Sequence, residues 1–143
     1  MTEVAFHFNV SGKVDYACRL LRKAVDKGAR VIVTAQPELL RELDVALWTF
    51  DALEFVPHCR AGAEPAMLAA SAVVLAASLE SPAHQQVLVN MGEEVPSGFE
   101  RFERLIEVVG QDEEDRLSAR RRWKHYADRG YAIVRHEIRS EAA

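Results

Sequence analysis

An alternation of short apolar runs with longer amphipathic segments is the feature that most constrains how this chain can fold. The most apolar runs are rich in β-branched residues or alanine: "RVIVTA" at 30–35, "SAVVLAAS" at 71–78 and "QQVLVNMG" at 85–92. Such runs are typical of strands that are buried on both faces of a parallel sheet. The segment "VDYACRLLRKAVDKGA" at 14–29 instead places its apolar residues at helical spacing and reaches a glycine, which predicts a helix and its end.

The same reading extends along the rest of the chain. Further strands are predicted at 3–10, 106–110 and 131–138. Further helices are predicted at 36–50, 95–105 and 111–130, and a loop at 51–65. Strands that alternate with helices predict an α/β fold with a mostly parallel central sheet and helices on both faces. The 143 residues suit a single domain, 1–143, in which 138–143 are expected to be a frayed tail.

Charge is distributed unevenly over a chain whose net charge is −4. Residues 116–129 contain six basic residues and one acidic residue, so this stretch carries +5 and the remainder carries −9. Proteins that bind duplex DNA without sequence preference usually have a basic balance and a broad basic face. The positive field of this chain is local, so the chain has neither of these two features.

The sequence contains no recognisable membrane-spanning segment, signal peptide or cysteine motif. The apolar run at 66–78 is shorter than the roughly 20 residues of a membrane-spanning helix, and the first ten residues do not resemble a signal peptide. The two cysteines, Cys18 and Cys59, belong to no CxxC pair or zinc-binding set. Two such thiols suit a reducing cytoplasm, where each is expected to be a small buried apolar residue.

Motifs for catalysis or cofactor binding are weak or absent in the sequence. "SGK" at 11–13 lacks the preceding glycine and the following Ser or Thr of a phosphate-binding loop. No GxGxxG dinucleotide fingerprint or GxSxG nucleophile elbow occurs. The histidines are scattered without metal-ligand spacing, at positions 7, 58, 84, 125 and 136. No cofactor, metal or catalytic residue is predicted, and an enzyme on a doubly wound fold is left as an unsupported alternative.

The basic segment becomes more specific when it is placed on a helix. Arg116, Arg120 and Trp123 fall on one stripe, and Lys124 lies beside it. Guanidinium groups bind carboxylates in bidentate fashion, and an indole ring provides apolar contact. The stripe can therefore bind an acid and an apolar side chain together.

Two other interpretations of this helix remain open at this point. Acidic residues at 112–115 and basic residues toward the C-terminal half are the order that any solvated helix favours through its dipole. Trp123 is as well suited to the core as to a binding site, with Tyr126 as the alternative core aromatic residue.

A second informative region joins the predicted second helix to the following loop. Trp48, Phe50, Phe55 and Val56 cluster there within nine residues. The cluster is either a small apolar core under the loop or an exposed aromatic patch that docks another protein.

The two regions together resemble a known family. "ALWTFDALEFVPHCRAG" at 46–62 and "ARRRWKHYADRGY" at 119–131 resemble the signature segments of the chi subunit of bacterial DNA polymerase III. The resemblance implies a non-catalytic accessory protein of the clamp-loader complex, in the cytoplasm, with a Rossmann-like fold that lacks a phosphate-binding loop. It also implies two partners: the acidic, phenylalanine-ending C-terminal tail of the single-stranded-DNA-binding protein, and the psi subunit. DNA would be contacted only indirectly.

The resemblance also assigns residues to each partner. Arg120 matches the family arginine most closely tied to the tail, whereas Arg121 and Arg122 are additional to the family pattern. The positions that match the tail-binding set are Val109, Arg116, Arg120, Trp123 and Lys124. The positions that match the psi-binding set are Trp48, Phe55, Val56, Pro57 and His58.

The main alternative is a protein that binds single-stranded nucleic acid directly through the same basic helix. It predicts binding to single-stranded DNA that is lost when Arg120, Arg121 and Arg122 are replaced together, with a steep dependence on salt. The adaptor hypothesis instead predicts micromolar binding of the tail, roughly −8 kcal/mol, which salt weakens.

Overall fold

A computed structural model describes residues 1–49, 56–80 and 82–139. Seven strands occur in these ranges: β1 (Glu3–Val10), β2 (Val31–Thr34), β3 (His58–Arg60), β4 (Val73–Ala76), β5 (Val87–Asn90), β6 (Arg104–Gly110) and β7 (Ile133–Glu137). Four α-helices accompany them: α1 (Lys13–Asp26), α2 (Pro37–Thr49), α3 (Pro65–Ala70) and α4 (Glu113–Asp128). A short 3₁₀ turn, Phe99–Arg101, precedes β6.

All seven strands form one sheet in the order β3-β4-β2-β5-β6-β1-β7, and every neighbouring pair is parallel. The chain first crosses the sheet from β1 to β3 and then returns toward β7. Because parallel crossovers are right-handed, the two directions of travel place their helices on opposite faces. The α/β fold class and the parallel sheet predicted from the sequence are confirmed.

Each face of the sheet has its own apolar core. On one face, Leu21 of α1 and Leu43 of α2 are fully buried in a single cluster with residues of β2 and β4. On the other face, Tyr126 of α4 packs with Phe6 of β1, and Leu68 of α3 joins the same cluster. The central strands are buried on both sides, which explains why their sequences are continuous apolar runs.

The predicted loop at 51–65 was wrong at its C-terminal end. His58–Arg60 forms the edge strand β3, which pairs with β4, and α3 begins at Pro65. Neither element has a strong local signal, because "HCR" contains no β-branched residue and α3 is only six residues long. Tertiary contacts decide both elements.

The short helix predicted at 95–105 was also wrong in extent. Only the 3₁₀ turn at Phe99–Arg101 is helical, and residues from Arg104 onward already belong to β6. Gly98, with a φ of 94°, supplies a left-handed residue before that turn. A glycine in this conformation cannot continue a regular helix from the preceding residues.

Several smaller expectations can be compared directly with the fold. Cys18 and Cys59 are both buried free thiols, as predicted. Of the tail at 138–143, Ile138 donates its N–H to the carbonyl of Phe8 at 2.8 Å, and residues 140–143 lie outside the described ranges. In the part of the chain that the structure describes, no helix combines the length and apolarity needed to cross a membrane.

Candidate functional site

Helix α4 begins and ends at the signals that the sequence provides. Asp112 is its N-cap, and the carboxylate accepts a hydrogen bond from the backbone N–H of Asp115 at 3.3 Å. Acidic residues fill the first turn, where the helix dipole favours negative charge. Gly130, with a φ of 83°, follows the last turn in a left-handed conformation.

A buried carboxylate fixes α4 to the sheet. Glu107 of β6 is fully buried and accepts hydrogen bonds from the Arg122 Nε at 3.0 Å and the Tyr126 hydroxyl at 2.6 Å. The Asn90 amide of β5 donates to the same carboxylate at 3.0 Å. Burial raises the pKa of Glu107, while the Arg122 guanidinium and these donors act to lower it. Three donors around the two oxygens suit a carboxylate anion.

Arg122 and Tyr126, the two α4 residues that donate to Glu107, are themselves held in place. Arg122 also donates from Nη1 to the carbonyl of Glu93 at 3.0 Å and to the hydroxyl of Ser118. Burial and the Glu107 carboxylate raise the pKa of Tyr126, so its hydroxyl stays protonated and acts as a donor. Arg122 is therefore a core residue of the α4–sheet contact.

Fixing the rotation of α4 in this way turns a different face toward β1 and β7. Phe8, Arg116, Arg120, Trp123 and Arg135 line a cleft of about 390 Å³. We call this the α4–β7 cleft. Its walls carry three guanidinium groups and its floor is aromatic, so one small surface can bind carboxylates and an apolar side chain.

Trp123 contributes to both the core and the cleft. It is half-buried, and its ring centroid lies 5.0 Å from that of Phe6 and 6.0 Å from that of Phe8. Tyr126, in contrast, is fully buried. The two alternatives for Trp123 are therefore not exclusive, because packing against β1 holds the indole while one part of it stays accessible.

Phe8 and Arg135 are cleft residues that sequence reasoning missed. The Arg135 guanidinium carbon lies 4.8 Å from the centroid of the Phe8 ring, and Nη2 lies 3.2 Å from Glu137 Oε2. Both residues come from strands that pair in parallel although one is near each end of the chain. The alternation of side chains along the last strand could have predicted which face of the sheet Arg135 lies on. Its position beside α4, however, depends on the pairing of β1 with β7.

The remaining residues matched to the tail-binding set lie outside the lining of the cleft. Lys124 is exposed on α4, adjacent in sequence to Trp123. Val109 of β6 is completely buried in the apolar cluster that contains Phe6 and Tyr126. Arg121 is exposed on the solvent side of α4.

The residues matched to the psi-binding set form a second surface around the end of α2. Trp48 is 61% exposed, and its ring lies 5.1 Å from the ring of His58. Val56 and His58 are buried and Pro57 is half-buried. Phe55 lies outside the described residues. We call this the α2–β3 surface.

His58 is the anchor of the α2–β3 surface. Its Nδ1 lies 2.7 Å from the carbonyl oxygen of Val56, and its Nε2 lies 3.0 Å from Asp44 Oδ1 on α2. These contacts join β3 to α2 beneath the exposed indole.

Two other features bear on catalysis and cofactors. A cavity of about 400 Å³ lies at the carboxyl ends of β2, β4 and β5, where doubly wound sheets commonly bind ligands. Asn90 at its floor already uses its amide on Glu107 and Glu94 and its oxygen on Thr34 and Gly92. Within the described ranges, no group of three or more His, Cys, Asp or Glu side chains could hold a metal ion.

Lys13, the lysine of "SGK", makes structural contacts with other parts of the chain. Lys13 Nζ lies 3.1 Å from the Asp115 carboxylate and donates to the carbonyl of Met91 at the same distance. It ties the start of α1 to the start of α4.

The whole chain is similar to proteins of one known family. A family model described as "DNA polymerase III chi subunit, HolC" matches residues 1–134. The chain belongs to this family. The resemblance to the chi family that was inferred from two segments is confirmed, and the match extends well beyond them.

Two relatives carry the chi name. The DNA polymerase III subunit chi of Pseudomonas aeruginosa is 32% identical over 144 aligned residues, which cover 96% of this chain and 98% of the relative. That of Haemophilus influenzae is 26% identical over 120 aligned residues, which cover 83% of each chain. Chi is an accessory subunit of the DNA polymerase III replisome.

Proposed function

We propose that this chi-family protein is a non-catalytic adaptor that binds the acidic, phenylalanine-ending tail of the single-stranded-DNA-binding protein in the α4–β7 cleft. The observation that carries the proposal is the grouping of Arg116, Arg120 and Arg135 around the rings of Phe8 and Trp123. Family membership supplies the replisome context, and the cleft supplies the chemistry.

The chemistry of such a tail matches the cleft on two counts. Aspartate side chains and the α-carboxylate require cations, for which guanidinium groups are the strongest side-chain partners. The terminal phenylalanine requires apolar contact, which Phe8 and Trp123 provide. Among the described residues, neither Arg116 nor Arg120 has an ion-pair partner. Both are therefore available to an acidic ligand.

The positions of three consecutive arginines argue against direct binding of single-stranded nucleic acid by α4. Of the three consecutive arginines that this alternative uses, Arg122 is buried against Glu107 and cannot reach a phosphate. Arg120 lines the cleft and Arg121 faces solvent. A continuous basic track of the kind that follows a nucleic-acid backbone is thus not formed by these three residues.

The test is titration of a labelled tail peptide against wild type, Arg120→Ala and the matched control Arg121→Ala. Wild type should bind with a micromolar Kd. Arg120→Ala should weaken binding about tenfold or more, the effect of losing a charge-assisted hydrogen bond, and Arg121→Ala should stay within about twofold. Absence of saturable binding by wild type would refute the proposal, and a labelled single strand of DNA would be titrated next.

The second part of the proposal is that the α2–β3 surface docks on the psi subunit. Trp48 supports it, because its side chain is exposed beside the buried ring of His58 and tryptophan is enriched among the residues that contribute most to protein interfaces. Co-purification of the two subunits should be lost with Trp48→Ala. It should persist with Met67→Ala, which removes another exposed apolar side chain. Equal retention of psi by both variants would contradict this docking site.

A further inference from the structure

A second group of cations lies on the opposite face of the sheet, alongside α1. A cleft of about 520 Å³ opens there between α1 and the carboxyl ends of β1 and β7. Tyr16 and Ile138, which line it, pack against the apolar cluster of the α1 and α2 face. Three cations complete its lining: Arg19, Lys23 and Arg139. We call this the α1–β7 cleft.

The three cations of the α1–β7 cleft are exposed and have no acidic partner. Among the described residues, none of the three takes part in an ion pair, and no Asp or Glu lines the cleft. Arg19 and Lys23 are one turn apart on α1, a spacing at which like charges slightly destabilise a helix. Stabilisation of the fold therefore does not explain the arrangement, whereas binding of an acidic ligand does.

The aromatic content of the α1–β7 cleft favours an acidic peptide over a single strand of DNA. Proteins that bind single strands combine cations with aromatic rings on which successive bases stack. Among the described lining residues, Tyr16 is the only aromatic one. It is half-buried, and its hydroxyl contacts the ring of His7. The cleft thus offers cations for carboxylates without a stacking platform for bases.

The α1–β7 and α4–β7 clefts are neighbours at the edge of the sheet. Phe8 lines the α4–β7 cleft, and Asn9, the next residue of β1, lines the α1–β7 cleft. Arg135 and Arg139 are only four residues apart near the end of the chain, which corresponds to about 13 Å of extended backbone. Since β7 is the last strand in the sheet and pairs with β1 alone among the described strands, a ligand can pass around its outer edge.

We propose that the α1–β7 cleft is a second site for the tail, which binds acidic residues that precede those held in the α4–β7 cleft. This inference rests on the proposed function, because it concerns the same ligand. About four residues of extended peptide, at about 3.3 Å each, are enough to pass around β7 from one cleft to the other. The tail is then held on both faces of the sheet edge.

The other route for the upstream part of the tail, along α4 toward its C-terminus, offers fewer cations. Beyond Arg120 the next cation beside the stripe is Lys124, and Asp128 follows it by one turn. Opposite charges at this spacing interact with each other. The route around β7 passes Glu137, but the carboxylate of Glu137 is paired with Arg135 at 3.2 Å. Three unpaired cations make the α1–β7 cleft the stronger site.

A double-mutant cycle tests the second site. Two tail peptides have identical residues nearest the C-terminus, but in one of them the upstream Asp and Glu residues are replaced by Asn and Gln. Both are titrated against wild type and the double variant Arg19→Gln/Lys23→Gln. In wild type, the neutralised peptide should bind about three- to tenfold more weakly, the effect of losing a few exposed charge pairs. In the double variant, the two peptides should bind within about twofold of one another.

Arg41→Gln/Arg60→Gln is the matched control. Both arginines are exposed, and they lie on α2 and on β3, the strand at the opposite edge of the sheet. This variant loses the same two units of charge and should keep the full difference between the two peptides. Far-UV circular dichroism and Tm of each variant check that the fold is retained.

The outcomes separate the second site from the adaptor function. If wild type binds both peptides equally well, or if the double variant keeps the full difference between them, the second site is overturned and the adaptor function stands. If wild type binds neither peptide, the proposed function is overturned and this inference with it. A labelled oligothymidylate that binds wild type but not the double variant, while the two peptides behave alike, would assign the α1–β7 cleft to nucleic acid and overturn the proposal.

Discussion

Arg120, Arg121 and Arg122 are consecutive in the sequence but occupy three different environments. Successive residues of an α-helix are rotated by about 100° from one another, so the three side chains cannot share a face. Arg120 lines the α4–β7 cleft, Arg121 is exposed, and Arg122 is buried on Glu107. A basic run on a helix is therefore not one functional unit.

The stability of variants should separate Arg121 from Arg122. Arg122→Ala should lower the free energy of unfolding by about 3–5 kcal/mol, because it leaves the Glu107 carboxylate buried without its cation. Arg121→Ala should change it by no more than about 0.5 kcal/mol, as is usual for exposed positions. Urea denaturation of both variants measures the difference, and equal effects would contradict the buried network.

A second prediction at this scale concerns pH. His7 contacts the Tyr16 hydroxyl, and burial together with nearby His136 lowers its pKa from 6.5 to about 4. Between these two pH values the unfolded chain binds a proton that the folded chain does not, so stability should fall as pH decreases through this window.

The comparison that isolates His7 is urea denaturation of wild type and His7→Gln at pH 7.5 and pH 5. Wild type should lose more stability than the variant between the two values. An equal loss would assign the pH effect to other groups, such as His84, whose pKa is also lowered by burial.

At the scale of elements, the beginnings of α1 and α4 are joined by one carboxylate. Asp115 Oδ2 accepts a hydrogen bond from Lys13 Nζ at 3.1 Å and another from the backbone N–H of Gly110 at 2.5 Å. Asp115 is nearly buried, with 10% of its side chain exposed. The contact fixes the first turn of α4, which directly precedes Arg116 in the lining of the cleft.

Asp115→Ala should therefore destabilise the fold by about 1–3 kcal/mol, since it leaves the Gly110 N–H and the Lys13 ammonium without their acceptor. Glu114→Ala is the matched control, because it also removes an acid from the first turn of α4 but from an exposed position. Its loss should stay below about 1 kcal/mol, the size of a helix-dipole contribution. Thermal denaturation of both variants provides the measurement.

The elements also show what can be read from a single sequence. The valine-rich strands β2, β4 and β5 were predicted because burial on both faces leaves a continuous apolar run. Helix α4 was predicted because its acidic first turn, its basic C-terminal half and the glycine that follows it agree. β3 and α3 were missed because each is too short to have a periodic signal, and their contacts with neighbouring elements determine them.

The residues of the candidate site also fall into those that the sequence could predict and those that it could not. Helical spacing was sufficient to group Arg116, Arg120 and Trp123 on one stripe. Phe8 and Arg135 could not be added, because the pairing of β1 with β7 joins distant parts of the chain and has no local signature. Arg122 was not recognised as a core residue, since its partner Glu107 lies on another element.

At the scale of the whole molecule, the uneven charge distribution predicts that affinity for an acidic ligand falls as the salt concentration rises. The acidic remainder of the chain repels an acidic ligand, while the stretch at 116–129 attracts it. Tail binding should weaken severalfold between 50 and 300 mM NaCl, because the Debye length falls over this range. Titration of the tail peptide at several salt concentrations measures this effect, and an affinity that does not change would contradict a binding site built on arginines.

The position of β1 inside the sheet has a consequence for how the protein is made. Glu3 pairs with Arg104 and Val4 pairs with Ile133, so both neighbours of the first strand are synthesised roughly a hundred residues or more after it. A growing chain emerges with its N-terminus first, so the backbone of β1 has neither of its pairing partners until β6 and β7 have left the ribosome. Phe8 belongs to β1 and Arg135 to β7, so a nascent chain that has not yet formed β7 lacks the α4–β7 cleft.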